Sequence, residues 1–284
     1  MVRDLFTIND APAVLFITST ITLLALNTHY HFFLALGCIV IIGIPHGALD
    51  PWIGLTEPSL KNKHTWLFFL VYTAIAMLTC LLWFILPYLS LALFLLISAH
   101  HFGSDWFQGS GFNNVHCIAQ GGIILSLPVL THSSETLFIF NLLTDGNLSD
   151  LRWFFGGWLT LGLISCILTR SKGVMIELVF IVLLSLYTAP LTFFACYFCV
   201  LHSLRHYIRY GPSIFQQHPQ RLPLLILVIL VTYLLGWILF WSLPEHRLLE
   251  EKLLQVLFWG LSSLTVPHML LVARKEKLMA YPSQ

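Results

Sequence analysis

The sequence predicts an all-α integral membrane protein, a single domain over residues 1–284 in which about ten helices cross the bilayer. Hydrophobic residues make up 57% of the chain and charged residues only 10%, whereas soluble domains carry roughly 25% charged residues. So few charges cannot cover a water-facing surface. Apolar runs long enough to span a bilayer recur along the chain. They cover residues 11–28, 30–49, 64–86, 88–107, 115–131, 152–169, 173–189, 191–210, 222–243 and 251–273.

The start of this pattern and its longest break each predict a further helix. The first apolar run follows MVRDLFTIND and has no small-residue cleavage site, so we interpret it as an uncleaved spanning helix. The longest break, residues 132–151, has an apolar middle that predicts a short interfacial helix.

Lysine and arginine positions predict the orientation, because short basic loops stay on the cytoplasmic side. With a cytoplasmic N-terminus, eleven of the fourteen basic residues fall in cytoplasmic segments, and only Arg152, Arg247 and Lys252 fall outside. Both termini are therefore expected in the cytoplasm, and the protein is expected in the cytoplasmic (inner) membrane as a multi-pass protein. The net charge of +1 gives no indication of a nucleic-acid partner.

Histidines inside the apolar runs indicate a functional site. The chain has thirteen histidines. Seven of them lie in or beside predicted loops, and the other six lie near the ends of even-numbered spans. The predicted orientation places that end of every even-numbered span in the cytoplasmic half of the bilayer. Ionisable residues inside spans are costly and commonly mark functional sites. These histidines are His46, His100, His101, His202, His206 and His268.

Their spacing favours a metal site. His202 and His206 are four residues apart, so they share one helix face and can bind one metal ion. Asp50 follows His46 by four residues and Asp105 follows His101 by four, so each carboxylate could accept the second ring N–H of a ligating histidine.

Two further histidines have less specific expectations. His100 points to another helix face than His101, so we expect it to form hydrogen bonds or to line a water-filled site. His268 is expected to be an additional ligand or a pocket residue. Neutral imidazoles suit iron, zinc, copper or nickel, and spacing does not choose among them. Hydrogen bonding between helices is the structural alternative for each histidine taken alone.

Four stretches, GIPHGALD, SAHHFGSDW, CYFCVLHSLRHY and TVPHML, occur in this order on the chain. Together they resemble the Brp/Blh family of bacterial and archaeal membrane β-carotene 15,15′-dioxygenases. The resemblance implies that O2 cleaves β-carotene at its central double bond into two retinals, at a non-haem Fe(II) site. It implies the ligands His46, His101, His202 and His206.

The resemblance has one local departure and several consequences. The family has an acidic residue directly after HFG, where this chain has Ser104 followed by Asp105. The implied partners are O2 and an apolar carotenoid that enters from the bilayer. No cofactor besides iron is implied. Transfer of the retinal to a rhodopsin stays open.

Three other functions compete with this interpretation. A membrane di-iron desaturase or carotenoid hydroxylase needs about eight histidines in paired boxes, and only His202 and His206 have such spacing. A transporter or channel would need polar residues through the bilayer, whereas the odd-numbered spans are almost purely apolar. A relative that binds carotenoid or retinal without cleaving it would lack iron or product.

Overall fold

The computed structural model describes residues 11–25, 31–55, 65–106, 114–169, 172–209 and 222–280, and nearly all of them are helical. Each of the ten predicted spans contains a helix, and the break at residues 132–151 contains one as well. The helices are α1 Ala11–Ala25, α2 His31–Cys38, α3 Ile44–His46, α4 Asp50–Leu55, α5 Thr65–Ile85, α6 Pro87–Ser104, α7 Asn114–Thr131, α8 Ser133–Thr144, α9 Arg152–Thr169, α10 Lys172–Tyr187, α11 Pro190–Ala195, α12 residues 204–209, α13 Leu222–Ser242 and α14 Leu249–Ala280.

Four helices of the described residues are long and apolar enough to cross a membrane. Four shorter apolar helices accompany them, at Ala11–Thr22, Phe32–Gly43, Arg152–Leu168 and Gly173–Tyr187. The all-helical architecture and the apolar helices agree with the prediction, and the number of crossings stays a prediction. The four long segments are Trp66–Ile85, Asn114–Thr131, Pro223–Ser242 and Leu249–Arg274.

Two of the predicted spans contain π-helical turns, in which the backbone is wider than in an α-helix. The first is Ile39–Gly43, followed by α3 and by a 3₁₀ turn at Gly47–Leu49. Pro45 lies in α3 and has no N–H to donate. The second π-helix is Cys196–Ser203, between α11 and α12. Such turns are rare and frequently lie at functional sites.

The described residues form two compact units. The first contains the chain up to Gly43, Ser98–Asn141 and Asn147–Arg209. Here α7 packs mainly on α9, and α1 packs on the π-helix Cys196–Ser203. The end of α6 lies against α7 with the two backbones in contact, because a methyl group built on Gly103 would lie 1.9 Å from the carbonyl oxygen of Cys117. Small residues allow this kind of approach between membrane helices.

The second unit contains Ile44–Ile97, Leu142–Gly146 and the described residues after Arg209. In it α14 packs along α5, and the indole rings of Trp83 and Trp259 stack at 5.6 Å. The Arg247 guanidinium at the start of α14 donates to Gln255 and to Asp145. These bonds fix the N-terminal end of α14, the helix that carries His268.

We expect Gly103→Ala to destabilise the protein by about 1–3 kcal/mol, because the added methyl group forces the α6 and α7 backbones apart. Thermal unfolding of detergent-purified protein, followed by near-ultraviolet circular dichroism, measures the effect as a lower Tm. The matched control is Gly156→Ala in α9, where a methyl group meets nothing within 4 Å. It should leave the protein unchanged or stabilise it by about 0.5–1 kcal/mol. Equal Tm values for the two variants would contradict the close contact.

Candidate functional site

His202 and His206 lie where the second π-helix passes into α12. His202 is the seventh residue of Cys196–Ser203, and His206 lies in α12. Both imidazoles are buried, with 1% and 6% of their surface exposed. The structure therefore places this pair inside the first unit and out of water.

Asp105 fixes the proton of His202. Its carboxylate oxygen Oδ2 accepts a hydrogen bond from His202 Nδ1 over 2.8 Å. An ionised carboxylate can only accept, so Nδ1 carries the hydrogen and the lone pair of the neutral ring lies on Nε2. A carboxylate in this position orients metal-ligating histidines and raises their basicity. The bond joins residues 97 apart in the sequence.

The ring of His101 lies next to the ring of His202. Their centroids are 4.4 Å apart and their planes are inclined by 80°. Two imidazoles that bind one metal at about 2.1 Å have ring centroids about 4.5 Å apart when they meet at a right angle and about 5.3 Å apart at a tetrahedral angle. The arrangement of His101 and His202 therefore fits two ligands of one metal ion.

Two phenylalanine rings also contact His202. Phe198 stacks on the imidazole at 5.7 Å and 13°, and Phe102 meets it edge-on at 5.2 Å. Tyr197, which is fully buried, packs edge-on against Phe102. These rings limit the rotation of the imidazole and exclude water from it.

A second carboxylate–histidine pair lies in the second unit. Asp50 Oδ1 accepts from His268 Nδ1 over 2.7 Å, and Asp50 Oδ2 accepts from the Tyr72 hydroxyl over 2.6 Å. Asp50 is completely buried. Both of its oxygens are thus hydrogen-bonded, as a carboxylate in an apolar interior requires. His268 has the same tautomer as His202, with its lone pair on Nε2.

Each predicted site residue can now be placed. The first unit brings together His101, Asp105 and His202, and the second brings together Asp50 and His268. His100 bonds through Nε2 to Asn114 Oδ1 at 3.2 Å, on another face of α6 than its neighbour. The backbone of His46 ends α3, and its side chain lies outside the described part of the chain. The ligand set as a whole stays a prediction.

Four residues that form hydrogen bonds in these two units were not predicted from the sequence. Tyr72 holds Asp50, and Glu177 accepts hydrogen bonds from Trp106 and Arg205. Tyr72 and Glu177 lie in odd-numbered predicted spans. A lone glutamate inside the apolar stretch VMIELVF was the available signal, because a single carboxylate in such a run needs a buried partner.

Comparison with known proteins identifies the family. A family model described as β-carotene 15,15′-dioxygenase matches residues 38–274. The chain belongs to this family. A curated β-carotene 15,15′-dioxygenase from uncultured marine bacterium 66A03 is 34% identical over 255 residues, which cover 84% of this chain and 91% of the relative. No solved structure matches the chain. Every candidate residue from His46 to His268 lies within the range matched by the dioxygenase family.

We expect Tyr72→Phe to destabilise the protein by about 1–3 kcal/mol, because it removes one of the two donors to a fully buried carboxylate. Unfolding in a detergent titration gives the free energy of unfolding. The control is Tyr187→Phe, since 67% of the Tyr187 surface is exposed. That change should stay within about 0.5 kcal/mol of the unchanged protein. A loss for Tyr72→Phe no larger than for the control would mean that the Asp50 bond does not form.

Proposed function

We propose that this protein is an iron-dependent β-carotene 15,15′-dioxygenase. The C15=C15′ double bond of β-carotene breaks, and each carbon gains one oxygen atom of O2, which gives two molecules of all-trans-retinal. One β-carotene and one O2 account for every atom of the two aldehydes, so no further reductant is needed. The observation that carries the proposal is the 34% identity, over most of both chains, to an enzyme of that name.

The proposed iron ligands are His46, His101, His202 and His206. The contact of the His101 and His202 rings and the burial of His206 support three of them. His46 rests on its GIPHGALD motif and on the family match, which includes it. Four neutral imidazoles would suit an iron(II) ion.

Iron(II), when bound, supplies the redox chemistry with O2 that side chains cannot. The protein's own residues set the conditions. Asp105 holds the proton on His202 Nδ1, so that Nε2 keeps its lone pair for a metal ion. Phe102 and Phe198 exclude water around that ring and offer apolar surface.

The second carboxylate has a parallel role in the proposal. Asp50 orients His268, which contributes to the site as a further ligand or as a lining residue. His100, bonded to Asn114, is assigned a supporting hydrogen-bonding role on its own face of α6. Carotenoid enters laterally from the bilayer of the cytoplasmic membrane, since so apolar a molecule partitions into lipid.

The direct test is expression in a bacterial host that accumulates β-carotene, with retinal assayed by chromatography and iron measured in purified protein. We expect retinal to appear as carotene declines. Alanine at His46, His101, His202 or His206 should each reduce retinal to background and lower bound iron. His132→Ala is the control, because the His132 side chain hydrogen-bonds its neighbour Thr131 and lies outside the four motif stretches. Full activity in one of the four variants would remove that histidine from the ligand set.

Labelling with ¹⁸O2 tests the stoichiometry. We expect one labelled oxygen in each aldehyde, provided that borohydride reduces the aldehydes before their oxygens exchange with water. One labelled and one unlabelled product would indicate a monooxygenase. A hydroxylated carotenoid with no retinal would indicate a hydroxylase. Persistent carotene with folded protein that holds no iron would favour a binding or transport function.

We further propose ten spans with both termini in the cytoplasm. Alkaline phosphatase is active only outside the cytoplasm. Green fluorescent protein fluoresces in the cytoplasm but not when it is exported in an unfolded form. A fusion after Gln284 should therefore fluoresce and lack phosphatase activity, and a fusion after Glu245 should behave in the opposite way. The same reporter pattern at both positions would contradict the proposed orientation.

A further inference from the structure

The first unit holds a cluster of buried charges beside His202 that the proposed function does not use. Glu177 in α10 accepts a hydrogen bond from the Arg205 guanidinium through Oε1 and from the Trp106 indole N–H through Oε2, the latter over 2.8 Å. The side chains of Arg205 and Glu177 are 13% and 10% exposed.

The two donors to Glu177 lie close in sequence to the two partners of the His202–Asp105 bond. Trp106 directly follows Asp105, and Arg205 lies three residues after His202, in the first turn of α12. Asp105 is itself only 12% exposed. One guanidinium therefore lies near two buried carboxylates, since it is bonded to Glu177 and is within electrostatic reach of Asp105.

The buried setting makes the choice of partner decisive. Charges attract each other far more strongly away from water than at the surface. A guanidinium can also bind a carboxylate with two parallel N–H donors, which turns both carboxylate oxygens toward the arginine and so competes with a histidine for the orientation of that carboxylate. The Arg205 nitrogen Nη1 is buried and has no hydrogen-bond partner among the described residues, so Arg205 retains an N–H for a second carboxylate oxygen.

We propose that Glu177 is a positioning residue that binds Arg205 and thereby leaves Asp105 to orient His202. Without the Glu177 charge, Arg205 turns to Asp105, and His202 loses the acceptor that fixes its proton on Nδ1. The inference rests on the proposed function in one respect, namely that His202 binds a metal ion. It does not depend on which carotenoid is cleaved.

The test measures cobalt(II) affinity of the purified full-length apoprotein, from the visible absorption of bound cobalt. Loss of a carboxylate behind a metal-bound histidine typically weakens metal binding about 10–100-fold. We expect Glu177→Gln to weaken cobalt binding by that factor and to shift its absorption bands. Glu177→Gln with Arg205→Gln should recover to within about threefold of the unchanged protein, because the competing guanidinium is gone.

Two comparisons separate this mechanism from its rivals. Trp106→Phe removes only the indole N–H and should leave cobalt affinity within about threefold of the unchanged protein. A loss as large as that of Glu177→Gln would mean that Glu177 acts by bracing the backbone. Asp105→Asn should weaken binding as Glu177→Gln does, and combining the two should add nothing further. Additive losses would indicate a general effect of the Glu177 charge, and either result would overturn the proposal.

Metal binding by the unchanged protein distinguishes a failure of the proposed metal site from a failure of the proposed role of Glu177. Cobalt and iron both failing to bind would refute the metal site on which the proposed function depends. Metal binding that is normal in both the unchanged protein and Glu177→Gln would refute only the role of Glu177. If Glu177→Gln does not fold, Glu177→Asp replaces it, because its shorter carboxylate loosens the hold on Arg205. A smaller loss is then expected, and adding Arg205→Gln should again restore binding.

Discussion

The burial of carboxylates in an apolar protein is the constraint on which the rest of this structure depends. An isolated ionised carboxylate costs many kcal/mol in such surroundings unless hydrogen bonds or opposite charges compensate for it. Asp50 is fully buried and has a donor on each oxygen. Glu177 likewise has a donor on each oxygen, one of them charged. Each carboxylate thereby fixes the side chains that satisfy it.

These buried bonds determine the arrangement of the side chains more than they stabilise the fold. A buried ion pair often contributes little to the free energy of unfolding relative to apolar residues of the same size. What the bonds of Asp50 and Asp105 do provide is a single tautomer for His268 and His202, with the lone pair on Nε2 in each. A metal ligand needs a ring nitrogen that carries a lone pair, and this tautomer supplies one.

The helices could be predicted from the sequence and the histidines could be singled out in it, because both have local signals. Long apolar runs mark spans, and histidines within them stand out against residues such as Leu and Phe. The partners of those histidines have no such signal. Asp105 lies four residues after His101, yet it bonds to His202 in a different helix. Glu177 and Tyr72 occur alone in apolar helices, and their role appears only when packing brings distant segments together.

The same limit explains why the sequence did not predict the wide turn that carries His202. Tyr197 and His202 are five residues apart, which in an α-helix directs their side chains about 140° apart around the axis. The segment Cys196–Ser203 is instead a π-helix, bonded i to i+5, which brings residues five apart onto nearly the same face. Both rings accordingly contact Phe102, each with centroids 5.2 Å apart. Phe102 follows His101 directly, so the π-helix allows the segment that carries His202 to pack against the C-terminal end of α6. A regular α-helix over the same residues would rotate one of the two rings away from Phe102, and His202 would lose part of the apolar surface that encloses it.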